Sequence, residues 1–212
     1  MINKYKRIMK KNEEKTSFWP LFTDMLASVL MVTILLLFTS ESLAGSVKQD
    51  LASNVNNSLN DIMEDNENPI VIDINTGQIT LDEKMLFDTD SYELKREAKD
   101  MLKILIPKYA EELYSEYSEY ISNIIIEGHT DDIGGYLYNL ELSQKRAYSV
   151  VEYIISDEIG EYNYKDNLTQ DVIAIGRSEA ELIKDNNDNI DRSKSRRVEI
   201  KYELNLNEDE II

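Results

Sequence analysis

The 212-residue sequence contains no cysteine, one histidine, three prolines and seven glycines. Without thiols there is neither a disulfide nor a thiolate metal site, and cysteine usage says nothing about redox compartment. A single imidazole also leaves too few ligands for a zinc centre, so neither a metal nor a cofactor is expected. Positive charge is scarce: 23 lysines and arginines stand against 41 aspartates and glutamates, for a net charge of −18. Such a body repels phosphate backbones, which argues against nucleic acid as a partner. No G-x-S-x-G turn accompanies His129, and with 41 acidic residues no glycosidase pair can be singled out. The chain is therefore not expected to be an enzyme.

The basic residues that exist are gathered at one end. Residues 1–17 hold Lys4, Lys6, Arg7, Lys10, Lys11 and Lys15 against Glu13 and Glu14, a net of +4, which leaves −22 for the remainder. Directly behind this tail, residues 18–40 read FWPLFTDMLASVLMVTILLLFTS, with Asp24 as the one ionisable group. As a helix this stretch is about 34 Å long, enough to cross a bilayer core of about 30 Å. Trp19 suits the membrane interface, and Pro20 suits the first turn of a helix. Lysines flank the span on its N-terminal side only, so the positive-inside rule puts the N-terminus in the cytoplasm and the rest of the chain outside. A cleaved signal peptide competes with this reading, with Ser42-Leu43-Ala44 before the cut. Asp24, Trp19 and Pro20 at the entrance of the apolar run, and the long charged leader, favour an uncleaved single-pass anchor in the cytoplasmic membrane.

Asp24 carries the sharpest implication of the span. A carboxylate several residues inside an apolar helix costs about 2.5–3.5 kcal/mol on insertion scales, so it is seldom idle. A carboxyl in that position could take up a proton and pass it from one side to the other. The alternative is a carboxyl that reaches the headgroups or pairs with a neighbouring helix.

Residues 41–68 are polar, with Leu43, Val47, Leu51, Val55, Leu59 and Ile62 forming a narrow helical stripe. That stripe could pair with its copy in a dimer, pack on the following domain, or act as a plug; a solvated spacer is the plainer option. An acidic break at 61–68 precedes a β-rich piece, Ile70–Ile74, which turns through Asn75-Thr76-Gly77 into Ile79-Thr80-Leu81. Onward, the pattern predicts a strand near 79–87, a helix over about 91–118 that Pro107 bends or divides, and a strand at 121–127. A helix at 139–156 follows, then strands at 171–176 and 195–204. Asn139 reads as the N-cap of the second helix. In the last strand Arg196 shares a pleat face with Val198 and Ile200, while Arg197 falls on the opposite, solvated face. Residues 206–212 form an acidic tail.

Ile126–Ala147, IEGHTDDIGGYLYNLELSQKRA, carries the main functional signal. An apolar strand leads to a loop with Asp131, and a helix with Arg146 follows. The spacing resembles the signature of the OmpA-like peptidoglycan-binding domain. Leu86-Phe87-Asp88 resembles the family's strand before the first helix, and Arg196-Arg197-Val198-Glu199-Ile200 its closing strand. The resemblance covers about residues 79–204 and implies an α/β (α+β sandwich) domain of βαβαββ order, within 69–205. It further implies that Asp131 takes the ammonium and Arg146 the carboxylate of the diaminopimelate in a peptidoglycan stem peptide. Such a zwitterion suits a carboxylate beside a planar guanidinium. Asn139 and Arg196 join them as candidate contacts, and His129 has a structural place in the Gly-His-Thr-Asp turn. A structural salt bridge from loop to helix is the rival to binding. The sequence departs from the family pattern at Ile175–Glu179, at Ser195 and at Asp90, which bears on the loop 176–195.

A basic tail, one membrane helix with an aspartate near its cytoplasmic end, and an outer OmpA-like domain together resemble the MotB-type stator subunit. The FWPxxTDML approach to the span is similar to that of the ZorB type of Zorya anti-phage systems. The resemblance implies proton passage at Asp24, a homodimer inside a ring of a polytopic MotA/ZorA-like partner, and anti-phage rather than flagellar service. A passive membrane-to-wall tether with the same domain and no transport is the alternative.

Overall fold

The computed structural model describes residues 18–64 and 70–205, without side-chain detail at 18, 40–44, 47 and 60–64. The expected basic tail, acidic tail and the second half of the acidic break lie outside the described residues, as do the side chains of Leu43, Val47 and Ile62. The chain divides into two compact units, Met1–Gly45 and Ser46–Ile212. Helix α1, Phe18–Glu64, contributes to both.

In the first unit, Trp19–Thr39 has a mean hydropathy of 2.3 and its side chains are exposed. It is the one helix among the described residues long and apolar enough to cross a membrane. Its hydroxyls bond back to the helix itself: Thr23 Oγ1 donates to Trp19 O at 2.9 Å and Thr33 Oγ1 to Val29 O at 2.9 Å. That satisfies polar groups with no demand on the surroundings.

The second unit is built on a five-stranded sheet, β1 (Ile70–Ile72), β2 (Ile79–Asp82), β3 (Ile121–His129), β4 (Val172–Gly176) and β5 (Arg197–Leu204), in the order β1-β2-β5-β3-β4. All neighbours are antiparallel except β3 and β4, which are parallel. That parallel pair needs a crossover, supplied by α4 (Tyr136–Ile155) and α5 (Lys165–Asp171). A longer helix, α3 (Arg96–Ser115), precedes β3, and two short turns of helix, α2 (Glu83–Leu86) and α6 (Arg192–Ser195), lead out of β2 and into β5. Ile124, Ile126, Val198 and Ile200 on one sheet face join Leu102, Leu105, Ile106 and Tyr109 of α3 and Ala147, Val150 and Ile154 of α4 in one core. This is the α/β architecture of the expected βαβαββ order, with β1 added at the edge.

Two local differences have physical causes, and the α1 stripe takes one of the options left open for it. The strand expected over 79–87 stops at Asp82, whose carboxylate accepts from Lys84 N at 2.8 Å and starts α2. Pro107 does not divide α3, which runs without interruption from Arg96 to Ser115. Burial of Leu102, Leu105, Ile106 and Ala110 around it outweighs the amide hydrogen bond that proline forgoes. The stripe on α1 packs on its own domain: Leu51, Val55 and Leu59 are fully buried, Asn54 Nδ2 donates to Tyr117 OH at 3.2 Å, and Ser58 donates to Glu112.

Candidate functional site

Two glycines set the site up. Gly128 and Gly176 are register partners on the parallel strands β3 and β4. A Cβ on Gly128 would lie 2.3 Å from Ser143 O, and one on Gly176 would lie 2.5 Å from Gln144 N. Their bare backbones form a notch into which α4 settles at Ser143, deeper than any side chain would allow. Ser143 Oγ accepts from Ser178 N at 3.1 Å, while Gln144 donates to Ala174 O at 3.1 Å and accepts from Gly176 N at 2.7 Å. Asn139 stands one turn before the notch and Arg146 one turn after it.

Asp131, Asn139, Arg146 and Arg196 all line one cleft of ≈ 580 Å³, together with Glu83, Phe87 and Thr130. Arg146 is 3 % exposed. Its Nε donates to Ser91 O at 2.9 Å, its Nη2 meets Glu83 Oε1 at 2.9 Å, and its guanidinium lies 5.4 Å from the centre of the Phe87 ring. Arg196 is paired through Nη1 with Asp131 Oδ2, and its Nε is 3.8 Å from Glu83 Oε2. Asp131 Oδ1 also accepts from Ile133 N at 3.0 Å. Asp131 is thus braced by Arg196, while Arg146 is held by Glu83. Lys84, Asp88, Asp90 and Lys95 form the rim, where Lys95 Nζ and Asp88 Oδ1 pair at 3.2 Å.

Glu83 is a member of this constellation that the sequence did not reveal. It is 7 % exposed, and Oε2 has no hydrogen-bond partner among the described residues. Burial raises its pKa above the usual carboxylate value, and the nearby Arg146 and Arg196 offset only part of that. Thr130 Oγ1, on the same lining, is likewise buried with no hydrogen-bond partner among the described residues. The available signal was Asp82-Glu83-Lys84, an N-capping aspartate that ends the strand and turns position 83 inward.

Asn139 is not the N-cap expected of it. The helix starts three residues earlier, at Tyr136, with Gly135 as its cap. The Gly134-Gly135 pair lets the chain enter the helix early, and Gly134 has φ +106°. Asn139, 2 % exposed, instead donates from Nδ2 to Asp131 O at 3.3 Å and to Glu179 Oε2 at 2.9 Å. It ties the Asp131 loop to the loop after β4. Ser195, at the departure from the family pattern, is fully buried: its Oγ accepts from Ile183 N at 2.9 Å and donates to Asp191 O at 2.7 Å.

Arg197 is also not solvated. It is 5 % exposed, with Nε 2.6 Å from Glu199 Oε1 and Nη1 3.1 Å from Glu181 O. Alternation gave its face correctly, but the segment after β4 covers that face. There His129 Nε2 lies 3.0 Å from Glu127 Oε1 and 3.5 Å from Glu199 Oε2, and Lys201 Nζ reaches Glu127 Oε1 at 3.1 Å and Glu199 Oε2 at 2.6 Å. Burial would push the Glu199 pKa up, but His129, Lys201 and Arg197 beside it hold it well below the usual range. Glu127, His129 and Glu181 bring potential metal ligands within 4.8 Å of one another. Lys201 and Arg177 already neutralise the two carboxylates, so the cluster is balanced as it stands.

The chain is similar in sequence to several relatives over part of its length. A Zorya protein ZorB of Escherichia coli O139:H28 is 37% identical over 79 residues, 37% of this chain and 32% of that protein. A Zorya protein ZorB of Escherichia coli strain Crooks is 33% identical over 136 residues, 57% of this chain and 54% of that protein. The chain thus spans about a third to a half of the length of these relatives. The solved structure of a MotB-like protein from Desulfovibrio vulgaris superposes with a TM-score of 0.51 at 21% identity, covering 76% of this chain and 96% of that one. At that identity the likeness establishes the fold alone. The OmpA family model matches residues 86–196, which hold α3, β3, α4, β4 and most of the cleft. With just over half its length matched, the chain belongs to the OmpA family.

Proposed function

We propose that the chain is the wall-gripping subunit of a MotA/MotB-like membrane motor, of the ZorB type rather than the flagellar one. The observation that carries the wall-gripping part of this reading is the cleft, where two arginines and two carboxylates converge. Their charges cancel, so the cleft suits a zwitterion, a group that is itself neutral overall. The diaminopimelate of a peptidoglycan stem peptide brings an ammonium for Asp131 and a carboxylate for the Arg146 fork. Arg196 orients Asp131 and adds positive charge for the carboxylate. Asn139 keeps the Asp131 loop in place and offers its amide beside the ligand.

Anchored in this way, the domain acts as the fixed point of the motor. The Trp19–Thr39 helix crosses the cytoplasmic membrane with its N-terminus inside. Two copies stand within a ring of a polytopic MotA/ZorA-like subunit, and each Asp24 alternately takes up and releases a proton, moving that ring. The two ZorB relatives support the anti-phage assignment.

The experiment is Asp24→Asn in cells that depend on the system for phage protection. The substitution keeps the shape and removes the proton-carrying group. Protection should be lost while membrane insertion and retention on the wall persist. Full protection by the Asn variant would overturn the motor reading and leave a passive membrane-to-wall tether.

A further inference from the structure

We propose that Glu83 is a second acceptor for the ammonium group of the bound ligand, working beside Asp131. This deepens the wall-gripping reading and rests on it. Glu83 divides its two oxygens between two tasks. Oε1 pairs with Arg146 Nη2 at 2.9 Å and so holds the guanidinium that meets a ligand carboxylate. Glu83 lines the cleft, and its Oε2 is buried with no hydrogen-bond partner among the described residues; Arg196 Nε is 3.8 Å away. A buried carboxylate oxygen with nothing to accept is costly, and an ammonium from the cleft would satisfy it.

The surrounding charges agree. Arg146 and Arg196 face Glu83 from α4 and from the link between α6 and β5, and Asp131 faces it from the loop after β3. Lys84, Asp88, Asp90 and Lys95 stand at the rim. Arg196 already occupies Asp131 Oδ2, and Ile133 N occupies Oδ1, so Asp131 by itself has limited capacity for a three-donor ammonium. Glu83 supplies the missing acceptor, and Thr130 Oγ1 offers a neutral one on the same lining. The cleft is thereby selective for an amino acid terminus over a plain carboxylic acid. Burial raises the Glu83 pKa, so this acceptor is lost at a higher pH than an ordinary glutamate would be.

The test compares diaminopimelate with pimelate, the same dicarboxylate without amino groups, on the full chain in detergent micelles. The native protein should prefer diaminopimelate, and Glu83→Gln, which keeps an oxygen for Arg146, should cut that preference about tenfold by removing one charge-assisted bond. An undiminished preference in Glu83→Gln would overturn the proposal. A second measurement holds if the variant fails to fold. In the native chain the preference should decline as pH is lowered, beginning above the ordinary glutamate value of 4.5, because only the ionised carboxylate accepts an ammonium. A preference flat across that range would also overturn it. Failure of the native chain to bind diaminopimelate at all would instead remove the wall-gripping reading on which the proposal stands.

Discussion

Glu199 and Glu83 are both more than nine-tenths buried, yet their neighbours push their titration in opposite directions. Burial acts to raise Glu199, but His129, Lys201 and Arg197 together hold it far below its ordinary value of 4.5. A carboxylate depressed on folding stabilises the fold fully above its unfolded pKa, and that share is lost as pH falls through and below it. The Glu199 share of the urea midpoint should therefore hold from pH 7 to about 5 and fall as pH is lowered below its ordinary value of 4.5. Glu199→Gln should be less stable at pH 7 by about 1–3 kcal/mol, the cost of weakening bonds to charged groups, with a flatter acid limb. A native acid limb no steeper than that of the variant would contradict this. Glu83 has the reverse sign: its raised value means that its ionised form is held at a cost at neutral pH. Asp131, Asn139, Arg146 and Arg196 were legible because they fall within or beside a spaced motif. Glu83 was not, because strand alternation seemed to continue through it. Arg197 was misread because alternation gives a face but not what covers it.

At the scale of elements, the glycine notch decides whether the site exists. Gly128 and Gly176 meet across β3 and β4, and α4 fills the space that their Cβ atoms would take. Gly128→Ala should cost about 1–3 kcal/mol as an overpacked contact and should weaken diaminopimelate binding, since Asn139 and Arg146 ride on the displaced helix. Gly135→Ala is the control: φ is −86° and nothing lies within 4 Å of its Cβ, so both stability and binding should stay near native. Equal behaviour of the two variants would show that the close approach is unimportant. The alternation of strands and helices was readable from periodicity, because α3, α4 and β3 each bury a regular set of apolar residues. The short helices α2 and α6 were not, since one turn leaves no period to detect. The α1 stripe was visible, but its partner was not: a row of Leu51, Val55 and Leu59 fits another copy as well as it fits the domain.

Across the whole molecule, the sequence separates three kinds of chemistry along the chain: a basic leader, an apolar helix and an acidic body. The acidic body folds as an OmpA-family domain in which several buried charges are paired internally, as at Arg146–Glu83, Arg197–Glu199 and Lys201–Glu127. Motor and tether readings share that domain, so they differ at Asp24 and agree at the cleft. The cleft is accordingly where the account is most exposed to test. The most direct measurement is cosedimentation of the detergent-solubilised full chain with purified peptidoglycan sacculi, for the native protein and for Asp131→Ala and Arg146→Ala. The native chain should pellet with the sacculi. Each alanine variant should remain mainly in the supernatant, with affinity reduced at least about tenfold by the loss of a charge-assisted contact. Equal pelleting of all three would contradict the central claim that this cleft grips the wall.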